Sequence, residues 1–119
     1  MQITVKSAQV FQVFHLKGRL DHTCSPELKS IVKEHLNEGK VNILLNLAQV
    51  DFIDSSGLGT LISTLKEVRR ANGKIALCNL SPYVQEIFEI TQLTHIFDIF
   101  PGENEALAAF GHRKTAATN

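Results

Sequence analysis

Apolar positions along the chain repeat first at the two-residue spacing of strands and then at the three-to-four-residue spacing of helices. Ile3 and Val5 alternate with polar residues, and a run rich in Val and Phe follows at 10–16. Residues 7–9 separate these two runs, and the pattern therefore predicts a β-hairpin. Gly18 is expected to break the second strand.

A first helix is predicted from the Ser25-Pro26-Glu27 stretch, with the serine as cap and the proline in the first turn. Gly39 is expected to end this helix. Between them, five residues recur at helical spacing: Leu28, Ile31, Val32, His35 and Leu36. We interpret His35 on this face as a packed helix residue and not as a metal ligand.

In the middle of the chain, the apolar pattern predicts a strand at 41–47 that is covered on both faces. One face carries Val41, Ile43, Leu45 and Leu47, and Leu44 makes the other face partly apolar. A second helical stripe follows at 58–68 and ends at Asn72-Gly73. The remaining pattern predicts a strand at 74–79, a helix from Ser81-Pro82, a strand at 96–100 and a helix at 103–110.

The predicted order is therefore β-β-α-β-α-β-α-β-α, which indicates an α/β fold with a mixed, mostly parallel sheet of about five strands, about four helices and an N-terminal β-hairpin. Functional groups in such folds gather where the carboxyl ends of strands lead into helices. Two loops of this kind, 21–23 and the junction within 50–63, are expected to share one edge of the sheet.

Composition narrows the function classes. The 119 residues suit one domain, and the 12 basic and 12 acidic residues cancel, so the basic excess of a nucleic-acid binder is absent. No apolar run approaches the roughly 18–20 residues of a membrane span, and no signal peptide is visible, so a cytoplasmic location is expected.

Cys24 and Cys78 are expected to be free, inert thiols, and the scattered histidines predict no metal site. No cofactor is expected.

The stretch VDFIDSSGLGTLIS, residues 50–63, joins a predicted strand to a predicted helix. It lacks the last glycine of a dinucleotide loop, because Ile62 stands there, and it lacks the lysine of a Walker loop. It also lacks the glycine that precedes the serine of a hydrolase elbow, and no histidine lies near in sequence.

A helix cap by Ser55 or Ser56 would stabilise the helix by about 1 kcal/mol. Such a cap explains one of the two serines and neither of the two glycines. Gly57 and Gly59 each cost about 1 kcal/mol of helix propensity relative to alanine. Glycines leave the backbone bare, and a docking face with an accessible hydroxyl would suit this pattern.

Together with the rest of the chain, this junction resembles a known family, the STAS domain of anti-sigma factor antagonists, which are bacterial partner-switching proteins. GRLDHTCSPEL is similar to the first motif of that family, and NILLNLAQVDFIDSSGLGTLI is similar to its signature. NGKIALCNLSPYVQEIFEITQLTHIFDIFPGENEAL matches its C-terminal half in pattern and length. The resemblance covers about residues 2–110 and implies a single STAS-like domain at 1–110, followed by a flexible tail at 111–119.

The resemblance also implies a switch and not an enzyme. Ser55 would be the phosphoacceptor, and Ser56 would be its neighbour and the helix cap. The expected partner is a serine kinase of GHKL type that is also an anti-sigma factor, and a phosphoserine phosphatase would reset the switch. The residues expected to bind the partner are Asp21, Asp54, Ser56, Gly57, Leu58 and Gly59.

Three alternatives stay open at this stage. The chain could be a stand-alone STAS module that binds a small molecule or nucleotide, it could regulate a partner unrelated to sigma factors, or it could be an esterase-like enzyme that uses Ser55 or Ser56. The physics of modification favours the switch, because a phosphate adds about −1.5 to −2 charges at neutral pH. Beside Asp54, and near Asp21, that charge would create like-charge repulsion within the partner interface. Partner binding would weaken while the start of the helix stays folded.

Overall fold

A computed structural model describes residues 1–8 and 10–109 of the chain. The strands are β1 (Gln2–Ala8), β2 (Phe11–Leu20), β3 (Asn42–Ile53), β4 (Lys74–Cys78) and β5 (Asp98–Phe100). The helices are α1 (Ser25–Asn37), α2 (Ser55–Arg70), α3 (Pro82–Ile90) and α4 at 103–109, and a short 3₁₀ turn (Leu93–His95) precedes β5. The tail predicted at 111–119 lies outside the described residues.

The five strands form one sheet in the order β1-β2-β3-β4-β5. β1 and β2 pair antiparallel as a hairpin, and the other neighbours pair parallel. This arrangement confirms the predicted mixed α/β fold. Each parallel connection moves one strand along in the same direction, so right-handed crossovers place α1, α2 and α3 on one face of the sheet.

The two faces of the sheet carry two separate apolar clusters. Ile43, Leu45 and Leu47 of β3 belong to the larger cluster, which also takes in the buried apolar side chains of α1, α2 and α3. Leu44 points to the opposite face, where it packs in a smaller cluster with Ala106 of α4. The central strand is therefore covered on both sides, as its sequence predicted.

The expectation that Gly18 breaks the second strand is wrong. β2 continues through Gly18 to Leu20, with a register shift against β3 between Gly18 and Arg19. Gly18 has a φ of +118°, a backbone conformation that glycine adopts without steric cost. The glycine thus forms an irregularity inside the strand, and the strand continues for two residues beyond Gly18.

The starts of α1 and β5 also differ from the sequence-based expectation, and β3 runs to Ile53 and not only to residue 47. The cap position of α1 is Cys24 and not Ser25, and no side chain caps this helix, although Pro26 does lie in its first turn. The last strand begins at Asp98 and not at Ile96, because the 3₁₀ turn uses the residues just before it. By contrast, α3 begins at Ser81-Pro82 as predicted, and the Ser81 hydroxyl caps it by accepting the Val84 N–H at 3.3 Å.

The packed position of the histidine on α1 and the free state of the two cysteines are as predicted. His35 packs edge-on against Phe14, and its Nδ1 lies 2.9 Å from the carbonyl oxygen of Ile31. Cys24 and Cys78 are both free and buried. Burial raises the pKa of the Cys78 thiol to about 12 and also raises the pKa of Cys24, so both thiols stay protonated and unreactive at neutral pH.

Candidate functional site

The candidate site lies where β2 and β3 end side by side. Leu20 pairs with Ile53 at the end of the β2–β3 ladder, and the Asp54 N–H donates to the Leu20 carbonyl at 3.3 Å. Asp21 and Asp54 are the residues that directly follow these two strands. The two loops therefore leave the same edge of the sheet, as predicted.

Asp54 is the cap of α2. Its backbone is extended (φ −121°, ψ −173°), and its Oδ1 accepts the Gly57 N–H at 2.9 Å. Its carbonyl oxygen accepts the Leu58 N–H at 2.9 Å, which begins the helix. The prediction that Ser56 is the helix cap is wrong, because Ser55 and Ser56 already lie within the helix and a cap residue has a non-helical backbone.

Ser55 and Ser56 are exposed in the first turn of α2. Over the described part of the chain, neither hydroxyl makes a hydrogen bond, although the Ser56 carbonyl oxygen accepts one from the Thr60 hydroxyl at 3.0 Å. Because Asp54 performs the capping, both serine hydroxyls remain available to solvent. The structure thus presents Ser55 as the first helical residue after the buried strand, with its hydroxyl accessible.

The two glycines of the junction have different environments. Gly57 is buried, and a Cβ added there would overlap the Leu20 carbonyl oxygen and lie 2.6 Å from the carbonyl carbon. Gly57 therefore lets the first turn of α2 approach the end of β2. Gly59 is exposed, and a Cβ added there would meet nothing within 4 Å. The packing of the chain itself thus explains the first glycine and leaves the second unexplained.

Asp21 is fixed by its own loop. Its Oδ1 accepts the Thr23 hydroxyl at 2.5 Å and the Thr23 N–H at 3.0 Å, and its Oδ2 lies 3.5 Å from Arg19 Nε. The hydrogen bonds from Thr23, with the nearby Arg19, lower the pKa of the Asp21 carboxyl below its ordinary value. Arg19 in turn lies 3.8 Å above the ring of Phe52. The site therefore holds a fixed, ionised carboxylate.

Thr23 and Arg19 were missed at the level of the sequence. A threonine two residues after an aspartate is a common partner in local side-chain turns, so Thr23 could have been found from this spacing. Arg19 could not have been found, because its stacking on Phe52 depends on the β2–β3 register after the irregularity at Gly18.

A groove between α1 and α2 opens from this site. Its first part is lined by His22, Ser25, Pro26 and Lys29 on one side and by Ser56, Gly59, Thr60 and Ser63 on the other. Its second part continues along the same two helices past Val32, Lys33, Thr64 and Glu67. Lys29 and Ser63 belong to both parts, so the groove is continuous and begins beside the exposed serines.

The histidines and acidic residues of the described chain bear on hydrolase and metal chemistry. His22 shares the groove with Ser56, but within 1–8 and 10–109 no hydrogen bond links a histidine to either serine. No cluster of three or more His, Cys, Asp or Glu side chains suited to a metal ion occurs among the described residues. None of the helices in the described part of the chain is long and apolar enough to cross a membrane.

Comparison with known proteins identifies the family. The model of the STAS domain matches residues 2–106. The anti-sigma F factor antagonist of Paenibacillus polymyxa is 29% identical over 108 residues, which are 90% of this chain and 92% of that protein. Among solved structures, the tm1081 protein of Thermotoga maritima has a TM-score of 0.84 and 26% identity, covering 90% of this chain and 92% of its own.

The fold is shared with a further solved structure. The Bacillus cell fate determinant SpoIIAA, in its phosphorylated form, superposes with a TM-score of 0.71 at 23% identity, covering 92% of this chain and 99% of its own. The family model thus covers nearly all of the described residues, and the fold agrees with that match. The chain belongs to the STAS-domain family.

Proposed function

We propose that this protein is an anti-sigma factor antagonist that works as a phosphorylation switch. In its unmodified form it binds a serine kinase of GHKL type that is also an anti-sigma factor. The kinase phosphorylates Ser55 and the complex dissociates, and a phosphoserine phosphatase restores the binding form. The protein is a regulator and carries out no catalysis of its own.

One observation carries the proposal: Ser55 is an exposed hydroxyl in the first turn of α2, directly after an aspartate that already caps the helix. A kinase can reach this hydroxyl, and no internal hydrogen bond of the described chain is lost when it is modified. A phosphate at a helix N-terminus is favoured by the helix dipole. Phosphorylation would therefore leave the fold intact and change the charge of the surface.

The comparisons support the role in general terms. The relative in Paenibacillus polymyxa is named an anti-sigma F factor antagonist. A solved structure with the same fold, SpoIIAA, is described in both a phosphorylated and an unphosphorylated form. A phosphate is thus compatible with this fold, and we extend that property to Ser55 by its place in the motif.

The partner is proposed to contact the surface around the start of α2. Ser56 and Gly59 are exposed there, Leu58 and the two aspartates Asp21 and Asp54 are half-buried, and Gly57 is buried beneath them. Gly57 and Asp54 would then act mainly by holding the helix start in place. Asp21 offers the partner a fixed negative charge, and phosphoserine would add a second one close by.

The site assignment is tested by phosphopeptide mapping after incubation with the purified kinase and ATP. We expect label on Ser55 in the natural protein and in Ser56→Ala, and none in Ser55→Ala. Label that persists in Ser55→Ala and disappears in Ser56→Ala would move the site to Ser56 and overturn the assignment.

The switch itself is tested by titration calorimetry with the same kinase. Ser55→Asp should weaken binding at least about tenfold. An uncompensated charge in an interface costs several kcal/mol of binding free energy, and each loss of about 1.4 kcal/mol lowers the affinity tenfold. Ser55→Ala should bind and should not be released by ATP. The phosphorylated protein should bind more weakly than Ser55→Asp, since phosphate carries more charge. Equal affinity of phosphorylated and unmodified protein would refute the switch.

A further inference from the structure

We propose that the α1–α2 groove is a docking surface for an acidic segment of the partner, held by Lys29 and Lys33 and passing closely over Gly59. This inference rests on the proposed function and extends it, because it names the surface beyond the phosphorylation site and the chemistry of what binds there. The groove begins beside Ser56 and follows α1 and α2 as far as Glu67.

The charge of the groove selects an acidic occupant. Lys29 and Lys33 are exposed, lie one helical turn apart and both line the groove. Like charges at this spacing oppose each other, and neither lysine has an acidic partner within 4 Å in the described chain. The acidic residue lining the groove, Glu67, is paired with Arg70 at 2.9 Å. Two cations are thus left for a carboxylate from outside.

Some hydroxyl groups of α2 in the groove already donate a hydrogen bond within the helix, and others have no partner. Thr60 and Thr64 donate to carbonyl oxygens within α2, at 3.0 Å to Ser56 and at 2.8 Å to Thr60. The Ser56 and Ser63 hydroxyls have no partner among residues 1–8 and 10–109. These two hydroxyls lie on the groove side of α2 and can donate to the carbonyl or carboxylate oxygens of a bound peptide.

Gly59 supplies the geometric argument. Glycine inside a helix lowers helix propensity, and the neighbours of Gly59 in this chain do not require it, since an added Cβ would meet nothing. It lines the groove on the α2 side, together with Ser56 and Ser63. A missing Cβ at that point lets another backbone lie against the helix, and this gives Gly59 a role that packing within the chain does not.

The groove also connects docking to release. Phosphoserine 55 would add its charge at the mouth of the groove, next to Ser56. There the phosphate would repel an acidic segment and would compete with it for Lys29, which lines the groove together with Ser56. Release would then follow from a loss of charge complementarity along the groove, without a change of fold.

The test uses the purified GHKL-type kinase that phosphorylates this protein, with binding measured by calorimetry at low and high salt. Lys29→Glu/Lys33→Glu should weaken binding at least about tenfold, and the affinity of the variant should depend less on salt. The matched control is Lys6→Glu/Lys74→Glu, which makes the same change of net charge at exposed lysines outside the groove. The control should bind like the natural protein.

A second variant separates docking from folding. Gly59→Ala should raise the midpoint of chemical unfolding, because alanine favours the helix, and should weaken kinase binding about fivefold or more through overpacking. A rise in stability with unchanged affinity would show that nothing passes over Gly59. Because the variant is expected to be more stable, a loss of affinity cannot be attributed to unfolding.

A third measurement needs no kinase. Titration of the ¹⁵N-labelled protein with a tetraglutamate peptide should shift the amide signals of Lys29, Gly59 and Ser63, and a tetralysine peptide should not. Shifts produced by inorganic phosphate or ATP but not by tetraglutamate would overturn the inference in favour of a phosphate ligand.

The two proposals can fail separately. If phosphorylation releases the natural protein while both lysine double variants bind equally well, the groove inference is wrong and the switch stands. If phosphorylation leaves kinase binding unchanged, the switch itself is wrong.

Discussion

The loop after β2 and the loop after β3 leave the sheet side by side at the paired residues Leu20 and Ile53, and each begins with an aspartate. The two aspartates are used differently. Asp54 accepts the Gly57 N–H and caps α2, whereas Asp21 accepts two hydrogen bonds from Thr23 in its own loop. α1, which follows Asp21, begins without any side-chain cap.

This difference shows how one edge of a sheet can hold two kinds of functional group. At the β3–α2 junction the aspartate is part of the helix start, so the exposed group that it positions is the hydroxyl of Ser55. At the β2–α1 junction the loop holds the carboxylate itself, so Asp21 is the group presented. We therefore expect substitutions of Asp54 to act mainly through stability and substitutions of Asp21 to act mainly through charge.

The largest effect is expected from Gly57→Ala. The new Cβ would overlap the Leu20 carbonyl oxygen, and neither backbone can move without disturbing the paired strand ends. We expect a loss of about 3 kcal/mol in the free energy of unfolding, at the upper end of the usual cost of overpacking. Urea denaturation measures it, with Gly59→Ala as the control that keeps or gains stability. A loss below about 0.5 kcal/mol would mean that α2 is not tightly seated on β2.

A smaller effect separates the two aspartates. Asp54→Ala removes the cap of α2 and should cost about 1 kcal/mol of unfolding free energy. Asp54→Asn should keep most of that stability, since asparagine caps as well as aspartate. Asp21→Ala should cost less than Asp54→Ala, because no helix depends on Asp21. If denaturation showed the larger loss for Asp21→Ala, the structural and functional assignments of the two junctions would have to be exchanged.

The smallest effect is a pH dependence at Asp21. The hydrogen bonds from Thr23 lower the pKa of Asp21 in the folded protein relative to the unfolded chain. The resulting stabilisation is present above the unfolded pKa and is lost as the pH falls through the folded pKa. In Thr23→Ala the pKa of Asp21 should rise toward its ordinary value. The free energy of unfolding of this variant should then fall less on acidification than that of the natural protein. Carboxyl NMR titration of both proteins measures this, and an unchanged pKa would exclude Thr23 as the cause.

Several elements of the fold followed directly from the sequence because their signals are local. The alternation on β3, with Leu44 opposite to Ile43 and Leu45, indicated a strand covered on both faces, and the two apolar clusters confirm it. The Ser81-Pro82 pair marked the start of α3, where the serine caps the helix. Such signals depend on the period of side chains along one element and on a few neighbouring hydrogen bonds.

The errors arose where a local signal had more than one structural solution. In the sequence Gly18 predicts a strand break, but a glycine with positive φ can equally lie at an irregularity within a strand, and only pairing with β3 decides between the two. The resemblance implies Ser56 as the cap of α2, although Asp54 stands two residues earlier. Both residue types cap helices well, so the choice depends on where the strand before the helix ends.

The sequence by itself determined the order of the elements, the mixed sheet, the family resemblance and the place of the candidate serines at a strand-to-helix junction. These properties are written in the spacing of residues close to one another along the chain. The tertiary structure alone decided that Gly57 is required by the Leu20 carbonyl while Gly59 is not, and that Lys29 lies across a groove from Ser63. Those relations join residues from different elements, and only the register of the strands and the packing of the helices brings them together.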